Sequence, residues 1–521
     1  MTDLFDNAQT GVVSAPVGLG IDIGTTNTKV AVVRMRRSAV ELAAVASAPT
    51  PSAADLAPTL HRLTAKALAD AGQPVPDAVG IASMAETGVP LGDDGAPLGD
   101  WLRWDGHRAT DEAAALAARL GRTALFEATG VRPSAKVPLA TLAWLAAHDA
   151  GRHVAMRRWA GVADLACRHL TGELVTDHTL AGRTMAYRLP PAGSPLPEDF
   201  DAALLAEVGL RPGVMPRVAG PGAFAGAVRG SRWTDAGLRP GTPVAVAGHD
   251  HAVGAWAAGV REPGDVADSL GTAEALYAVL GTDPARSDVA AAGMSLVRTV
   301  EGRPALLAGS SSAGAMVRWW LEHEAPGLSA EDLFAQVEAL PASERPSDVF
   351  VLPYVTGRQT PEPDPSARVR VVGSRDGLGS TRLAAAMVDG LCLQAAWMLD
   401  EQVRIAGGRL RPRELVVLGG PAAASPAWMR AKARLTPVPL RLVDCAEPVA
   451  AGAALLALSR AGAFLHDAVP TLPRASGPLP DADPNAAESL ARFVAAARAS
   501  AHPHHGSPLT TAPTSAEESL P

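Results

Sequence analysis

Residues 17–33 read VGLGIDIGTTNTKVAVV, and the reading of this stretch decides the fold. Val17, Leu19, Ile21 and Ile23 alternate with small or acidic residues, the period of a strand, and a β-branched run resumes after Lys29. Two strands joined by a short polar turn make a hairpin. Its turn crowds the backbone N–H groups and side chains of Gly24, Thr25, Thr26, Asn27 and Thr28 onto one loop, with Asp22 at the strand end. Such donors suit phosphate oxygens, and a carboxylate beside them can hold a magnesium ion through its waters.

The turn is not a P-loop, because no Gly-Lys-Ser/Thr closes it and its glycine leads into a strand where a helix would be needed. Asp-x-Gly-Thr-Thr-x-Thr on a hairpin instead resembles the phosphate loop of the actin, Hsp70 and sugar-kinase superfamily. An ordinary Gly-Thr turn is the plain alternative.

A chain of 521 residues is long enough for two domains with substantial cores and a cleft between them. The formal net charge is -8, and the 46 basic residues form no long cationic run, which argues against nucleic acid or an anionic membrane as principal partner. Cys167, Cys392 and Cys445 have neither metal spacing nor an even count, so reduced thiols and a cytoplasmic location are expected. The acidic start, MTDLFDNAQT, lacks the features of a signal peptide. The reading allows a homodimer.

Beyond the hairpin, residues 40–47 read as a third strand and 53–71 as a helix ended by Pro74 and Pro76. Residues 78–83 are a buried strand running into Met84, Ala85, Glu86 and Thr87, and ligands favour such strand ends. Trp104 with Asp105 and Arg108 suits a hydroxylated ligand, the ring packing on C–H surface while the ions bind hydroxyls. Residues 110–188 read as helices with polar connections. Residues 242–248 form an apolar strand that ends at His249, Asp250 and His251, placing Asp250 at a strand-to-helix junction, where a helix cap is its structural alternative. Residues 264–280 repeat the opening as a second hairpin with a Gly271-Thr272 turn. A helix begins near Gly314, a long helix covers 382–405, and the strand 414–418 opens into Gly419, Gly420, Ser425 and Trp428, where glycines let a flat ring lie close to backbone. From residue 501 the composition is that of a disordered tail, and its histidines have no fixed geometry for a metal.

Together these stretches resemble the FGGY family of carbohydrate kinases from about residue 18 to 457. Asp22-Ile23-Gly24-Thr25-Thr26 is similar to the family's first phosphate motif and Ser269-Leu270-Gly271-Thr272 to its second. Gly419-Gly420 with Ser425 and Trp428 is similar to its adenosine motif, and Asp164 with Leu170-Thr171-Gly172 and Ala181-Gly182-Arg183-Thr184 to its D…LTG…A-x-R-T block. Gly248-x-Asp250 is similar to the motif that carries the catalytic base. The resemblance implies an α/β fold of two ribonuclease-H-like, actin-like ATPase domains around a central cleft, at residues 17–259 and 260–465. It implies ATP and Mg²⁺ as cofactors and a small carbohydrate as acceptor. Asp250 is then the general base, and Asp22 and Asp250 face the magnesium waters. Gly24, Thr25, Thr26, Thr28, Gly271, Thr272, Gly314, Gly419, Gly420 and Ser425 serve the nucleotide, while Glu86, Trp104, Asp250 and His251 serve the acceptor.

Three departures lie on the sugar side. Thr141 stands where the family has a lysine three residues before Trp144, and Trp104-Asp105-Gly106-His107-Arg108 moves the acid of Trp-x-Asp-x-Arg by one place. Met84-Ala85-Glu86-Thr87 is similar to the Gln-Arg-Glu-Thr of glycerol kinases without its arginine, and does not read as the Gln-Met-His of xylulose kinases. The alternative from another class is a non-catalytic nucleotide switch, actin-like or chaperone-like, which needs both phosphate turns but no base facing an acceptor pocket.

Overall fold

The computed structural model describes residues 15–36, 39–341, 344–345, 348–419, 425–464 and 469–499. Gly420 and the segment 501–521 lie outside them.

The opening hairpin forms with β1 (Val17–Ile23) antiparallel to β2 (Asn27–Arg36), and β3 (Ala39–Pro49) continues the meander. Helix α1 (Leu56–Asp70) buries Leu56, Leu60, Leu63, Ala67 and Leu68, the i, i+4 and i, i+3 stripe that its sequence carries. The chain then lays β4 (Ala78–Ser83) parallel to β1 on its other side. After helix α2 (Val162–Thr171) and a two-residue edge strand β5 (Gly226–Ala227), β6 (Pro243–His249) adds parallel to β4. The sheet order is β3-β2-β1-β4-β6-β5.

Helix α3 (Asp250–Ala257) leads to a second sheet built on the same plan. Strands β7 (Val266–Leu270) and β8 (Glu274–Val279) form its hairpin, with β9 (Ser295–Arg298) and β10 (Pro304–Ser310) following beyond β8. Helices α4 (Gly314–His323) and α5 (Ser380–Ile405) precede β11 (Leu415–Leu418), which pairs parallel with β7. Helix α6 (Pro426–Leu435) then leads to β12 (Leu440–Leu442), and the sheet order is β9-β10-β8-β7-β11-β12. In both sheets the first strand pairs antiparallel with the second on one side and parallel with a later strand on the other, and a further antiparallel strand lies beyond the second, the arrangement of an actin-like ATPase duplication. Helix α5 is long and apolar enough to cross a membrane by length and composition. Here residues 383–399 are all buried in the core of the second domain.

Helix α7 (Pro448–Arg460) joins the halves. It packs across β1 and β4 so tightly that a Cβ on Gly20 would lie 1.8 Å from the Ala450 carbonyl oxygen, and one on Gly80 1.9 Å from that of Ala453. Its other side meets α3, where Gly452 sits against Ala257 and Val253. One apolar cluster thus runs from Ala82 and Ala247 through Val253 and Ala453 to Val416 and Leu418.

The helical reading of residues 110–188 needs correction. Four- and three-residue strands, Arg158–Gly161 against Gly88–Leu91 and Val175–Asp177 against Arg217–Ala219, interrupt the helices there. Segments this short show no period of their own, and their pairing comes from partners far along the chain.

Candidate active site

The first turn sits on the C-terminal edge of β1 and is tied from beneath. Gly24 N–H donates to Asn27 O at 3.0 Å, Thr50 Oγ1 donates to Gly24 O at 2.7 Å, and Thr50 N–H donates to Thr26 O at 2.9 Å. Thr28, with no exposed surface, lies 3.2 Å hydroxyl to hydroxyl from Thr50. It braces the loop from below, while Thr26 and Asn27 occupy the exposed side. Thr25 Oγ1 accepts from Trp104 Nε1 at 3.0 Å, and the Thr25 carbonyl accepts from Arg103 at 3.3 Å. The phosphate turn and Trp104 are thereby one bonded unit.

Asp22 is buried, and its Oδ1 has no hydrogen-bond partner. Burial first, then repulsion from Asp250 and Glu447 against the pull of Lys29, pushes its carboxyl up to about 7. A buried carboxylate with an orphaned oxygen beside a second carboxylate is a donor set that suits a hydrated hard cation.

Asp250 is placed by the end of β6. The ladder to β4 is irregular between Val246 and Gly248, and Gly248 adopts φ 130°, where a Cβ would fall 2.4 Å from Thr179 Oγ1. That hydroxyl accepts from His249 N–H at 2.8 Å and donates to Asp177 at 2.7 Å. His249, not Asp250, takes the cap position of α3; Asp250 is the first helical residue, and its Oδ1 accepts from the next N–H, that of His251, at 2.7 Å. His249 Nε2 lies 3.1 Å and His251 Nε2 4.0 Å from Asp250 Oδ1. The ligand atoms of the three side chains all fall within 4.8 Å of one another. Burial drives His249 down to about 4, so its imidazole is neutral at pH 7.

At the end of the neighbouring strand, Glu86 follows β4 with φ 68° and takes a 2.6 Å bond from Arg183 Nη2. Arg183 Nε and Nη1 are buried without partners. Lys136 holds its ammonium 4.9 Å over the Trp104 ring. Asp105 and Arg108 do not converge with them: Asp105 pairs with Arg103 at 3.0 Å and Arg108 stacks 5.4 Å over Trp144. Ser83, Met84, Ala85, Glu86, Thr87 and Thr184 line a cavity that continues beneath this side. Arg183 was visible in sequence only as a motif position, and Lys136 only as a polar connection; an unpaired cation cannot be told from a surface one without its neighbours.

In the second domain, Gly271 N–H donates to Ala273 O at 2.9 Å, and the start of α4 docks on this turn through Gly314 N–H to Gly271 O at 3.1 Å and Ala315 N–H to Thr272 O at 3.0 Å. A Cβ on Gly314 would lie 2.8 Å from Gly271 O. Gly419, at φ 127°, presses on β7 so that a Cβ would fall 2.1 Å from Leu270 O. Ser425 caps α6, accepting from Trp428 N–H at 3.4 Å. Beneath the turn, buried Lys432 lies 2.5 Å from both Asp268 and Glu274.

Two domains of one plan, each presenting a Gly-Thr turn, with a carboxylate at the junction of β6 and α3, define a phosphotransferase of the actin-like ATPase type. Family models place the chain more narrowly. The N-terminal domain of the FGGY family of carbohydrate kinases matches residues 17–257 and its C-terminal domain residues 266–461, so this chain belongs to that family and is a kinase with an alcohol group as acceptor. A xylulose kinase of Streptomyces coelicolor is 29% identical over 446 residues, covering 84% of this chain and 87% of that one. A glycerol kinase of Bordetella parapertussis is 30% identical over 418 residues, covering 75% and 77%. Among solved structures, a gluconate kinase of Lactobacillus acidophilus superposes with a TM-score of 0.81 at 17% identity over 94% of this chain and 99% of that one, a likeness of fold. The names differ in the acceptor, and membership of a kinase family does not favour the nucleotide switch.

Proposed function

We propose that the protein transfers the γ-phosphoryl group of ATP to a hydroxyl of a sugar, polyol or sugar acid, with Asp250 as the general base. One observation carries the reading: Asp22 and Asp250, from the ends of strands on either side of β4, lie close enough for Asp250 to raise the Asp22 carboxyl. Asp22 is the fitting holder of magnesium waters, with Asp250 beside it. Mg²⁺ supplies charge neutralisation to the phosphates when bound.

The chain's own residues do the rest. The N–H groups of Thr25 and Thr26 and of Thr272 hold the phosphates, Gly24 and Gly271 shape the two turns through their own N–H bonds to Asn27 and Ala273, and Thr28 supports the first turn. Gly314, Gly419 and Ser425 border the adenosine. Glu86, Trp104 and His251 orient the acceptor, so that Asp250 takes the hydroxyl proton as its oxygen attacks. Neutral His249 beside Asp250 leaves that carboxylate free of a full opposing charge.

The test is Asp250→Asn, which keeps the size and one acceptor oxygen but cannot take a proton. Turnover should fall by about 10² to 10⁴, with ATP affinity and melting temperature close to wild type. A folded variant that binds ATP and retains more than about a tenth of wild-type kcat removes Asp250 from the role of base.

A further inference from the structure

The acceptor side of the cleft carries more positive charge than its own side chains answer. Lys136 reaches over Trp104, whose N–H is tied to the phosphate turn. Among the described residues no carboxylate, carbonyl or hydroxyl accepts from its ammonium. Arg183 spends one of its donors on Glu86, and its Nε and Nη1 are buried without a partner. Asp105, the other nearby acid, is held by both its oxygens on Arg103, at 3.0 Å each. Apart from Asp250, which the kinase reading reserves for the reacting hydroxyl, two cations therefore face one available carboxylate, Glu86. Two buried guanidinium N–H groups with unmade bonds cost free energy unless something fills them.

From these contacts we infer that the acceptor is an acidic sugar: a polyhydroxy carboxylate whose carboxyl group sits between Lys136 and Arg183 while a hydroxyl at the other end faces Asp250. This rests on the kinase reading and narrows its substrate to one chemical class. The unpaired Nε and Nη1 groups of Arg183 can each donate to a carboxylate oxygen, and Lys136 adds a point charge. Burial pushes Lys136 below its ordinary value, with Glu86 opposing and Arg183 and Arg132 adding to the fall, the strain of a cation that lacks its anion. A neutral polyol would leave both groups unanswered.

Glutamate 86 has a second part in this arrangement. Its φ of 68° and its single bond to Arg183 Nη2 aim the guanidinium, leaving Nε and Nη1 unpaired. Glu86 is therefore a positioning residue for the arginine as well as a candidate for hydroxyl binding.

The experiment compares matched acceptors with the full-length enzyme. ADP release with ATP and magnesium is followed for four- to six-carbon aldonic acids and for the alditols of the same length and configuration, in which a hydroxymethyl replaces the carboxylate. At least one acid should exceed its alditol, and glycerol, by tenfold to a hundredfold in kcat/KM, about what a charge-assisted bond in a buried site contributes. Lys136→Met should remove most of that preference by raising KM for the acid, leaving KM for ATP within about twofold, and Lys136→Arg should restore part of it. Alditols or ketoses phosphorylated at least as well as every acid would overturn the inference while leaving the kinase reading intact. A rise in KM for ATP with no change in acid preference would also overturn it, assigning Lys136 to the γ-phosphate. Acid that raises the melting temperature of wild type, but not of Lys136→Met, in an enzyme that phosphorylates nothing would support the subsite and count against the kinase reading. If Lys136→Met does not fold, the acid–alditol comparison on wild type decides alone.

Discussion

Lys432 shows what a single residue can hold and what sequence hides. Its ammonium is buried between Asp268 and Glu274, under the Gly271–Thr272 turn. Burial works against the charged lysine, but the two carboxylates outweigh it and raise its value, while burial pushes Glu274 up to about 8 against the pull of Lys432. Removing the lysine leaves two buried acids without a counter-charge, so Lys432→Met should cost about 3–5 kcal/mol of unfolding free energy at pH 7. Glu274→Gln added to it should recover part of the loss. Denaturant unfolding of both variants is the check, and a loss under about 1 kcal/mol would show that the site relaxes to admit water. Asp268 could be read as flanking a phosphate turn because both stand in one motif. Lys432 could not, because it is 158 residues from Glu274 and looks like any basic residue of an amphipathic helix. The same holds for Arg183 and Lys136: their chemistry is set by which groups are absent around them, and only folding decides that.

At the scale of elements, the two hairpins were legible because period-two runs flank turns of fixed composition, and strand 78–83 and the start of α4 were legible for related reasons. The helix over 382–405 begins in fact at Ser380, within the ordinary slack of helix ends. What sequence withheld was contact between elements. Gly20 reads as one small residue in an alternating strand, yet α7 crosses there with its Ala450 carbonyl 1.8 Å from where a Cβ would stand. The backbone at Gly20 is not left-handed, so the constraint is space alone. Gly20→Ala must push α7 off β1 and should destabilise by at least the 1–3 kcal/mol of an overpacked core. Gly151→Ala is the control: it lies in the helix Ala150–Ala155 with nothing within 4 Å of the added methyl, and should be neutral or stabilise by up to about 1 kcal/mol. Equal melting temperatures for the two variants would mean that α7 shifts without cost, and the close crossing would lose its place in the argument.

Beside the apolar cluster along α7, polar bridges join the halves, and these give the molecule a pH dependence that can be worked through. Lys29 on β2 pairs with Glu447 ahead of α7 at 2.5 Å. Arg460, at the end of α7, reaches Asp177 at 3.5 Å and donates to the carbonyls of Ala223 and Val246 at 3.0 Å. His178 lies 3.4 Å from Asp177 and 2.8 Å from the carbonyl of Thr299 in the second domain. Burial opposes a charge on His178, but Asp177 and the Thr299 carbonyl outweigh it and raise the imidazole above its ordinary 6.5, while Arg460 pulls the other way. Asp177 is disfavoured by burial yet held below its ordinary 3.8 by His178 and Arg460. A histidine raised in the folded state contributes stability fully below its unfolded value, and loses it as pH climbs through the raised one. An acid lowered in the folded state contributes above 3.8 and loses that stability in acid. The bridge is therefore strongest between 3.8 and 6.5 and weakens on the alkaline side. Asp22 and Asp164, both pushed up to about 7, also lose stability as pH rises toward that value, so the slope of wild type alone does not isolate the histidine. His178→Gln does, since glutamine keeps a donor for the Thr299 carbonyl and cannot titrate. The melting temperature of wild type should fall more steeply than that of His178→Gln between about pH 6 and 8.5, with the two curves converging at the alkaline end, above the ordinary imidazole range. The unfolded-state thiols of Cys167 and Cys392, at about 8.5, begin to ionise near the end of that scan, but they are common to both proteins and drop out of the difference. Parallel curves across that window would mean that His178 binds its proton equally well folded and unfolded, so that Asp177 gives the imidazolium no net stabilisation, and a wild-type curve rising relative to the variant would mean that the folded imidazole is neutral.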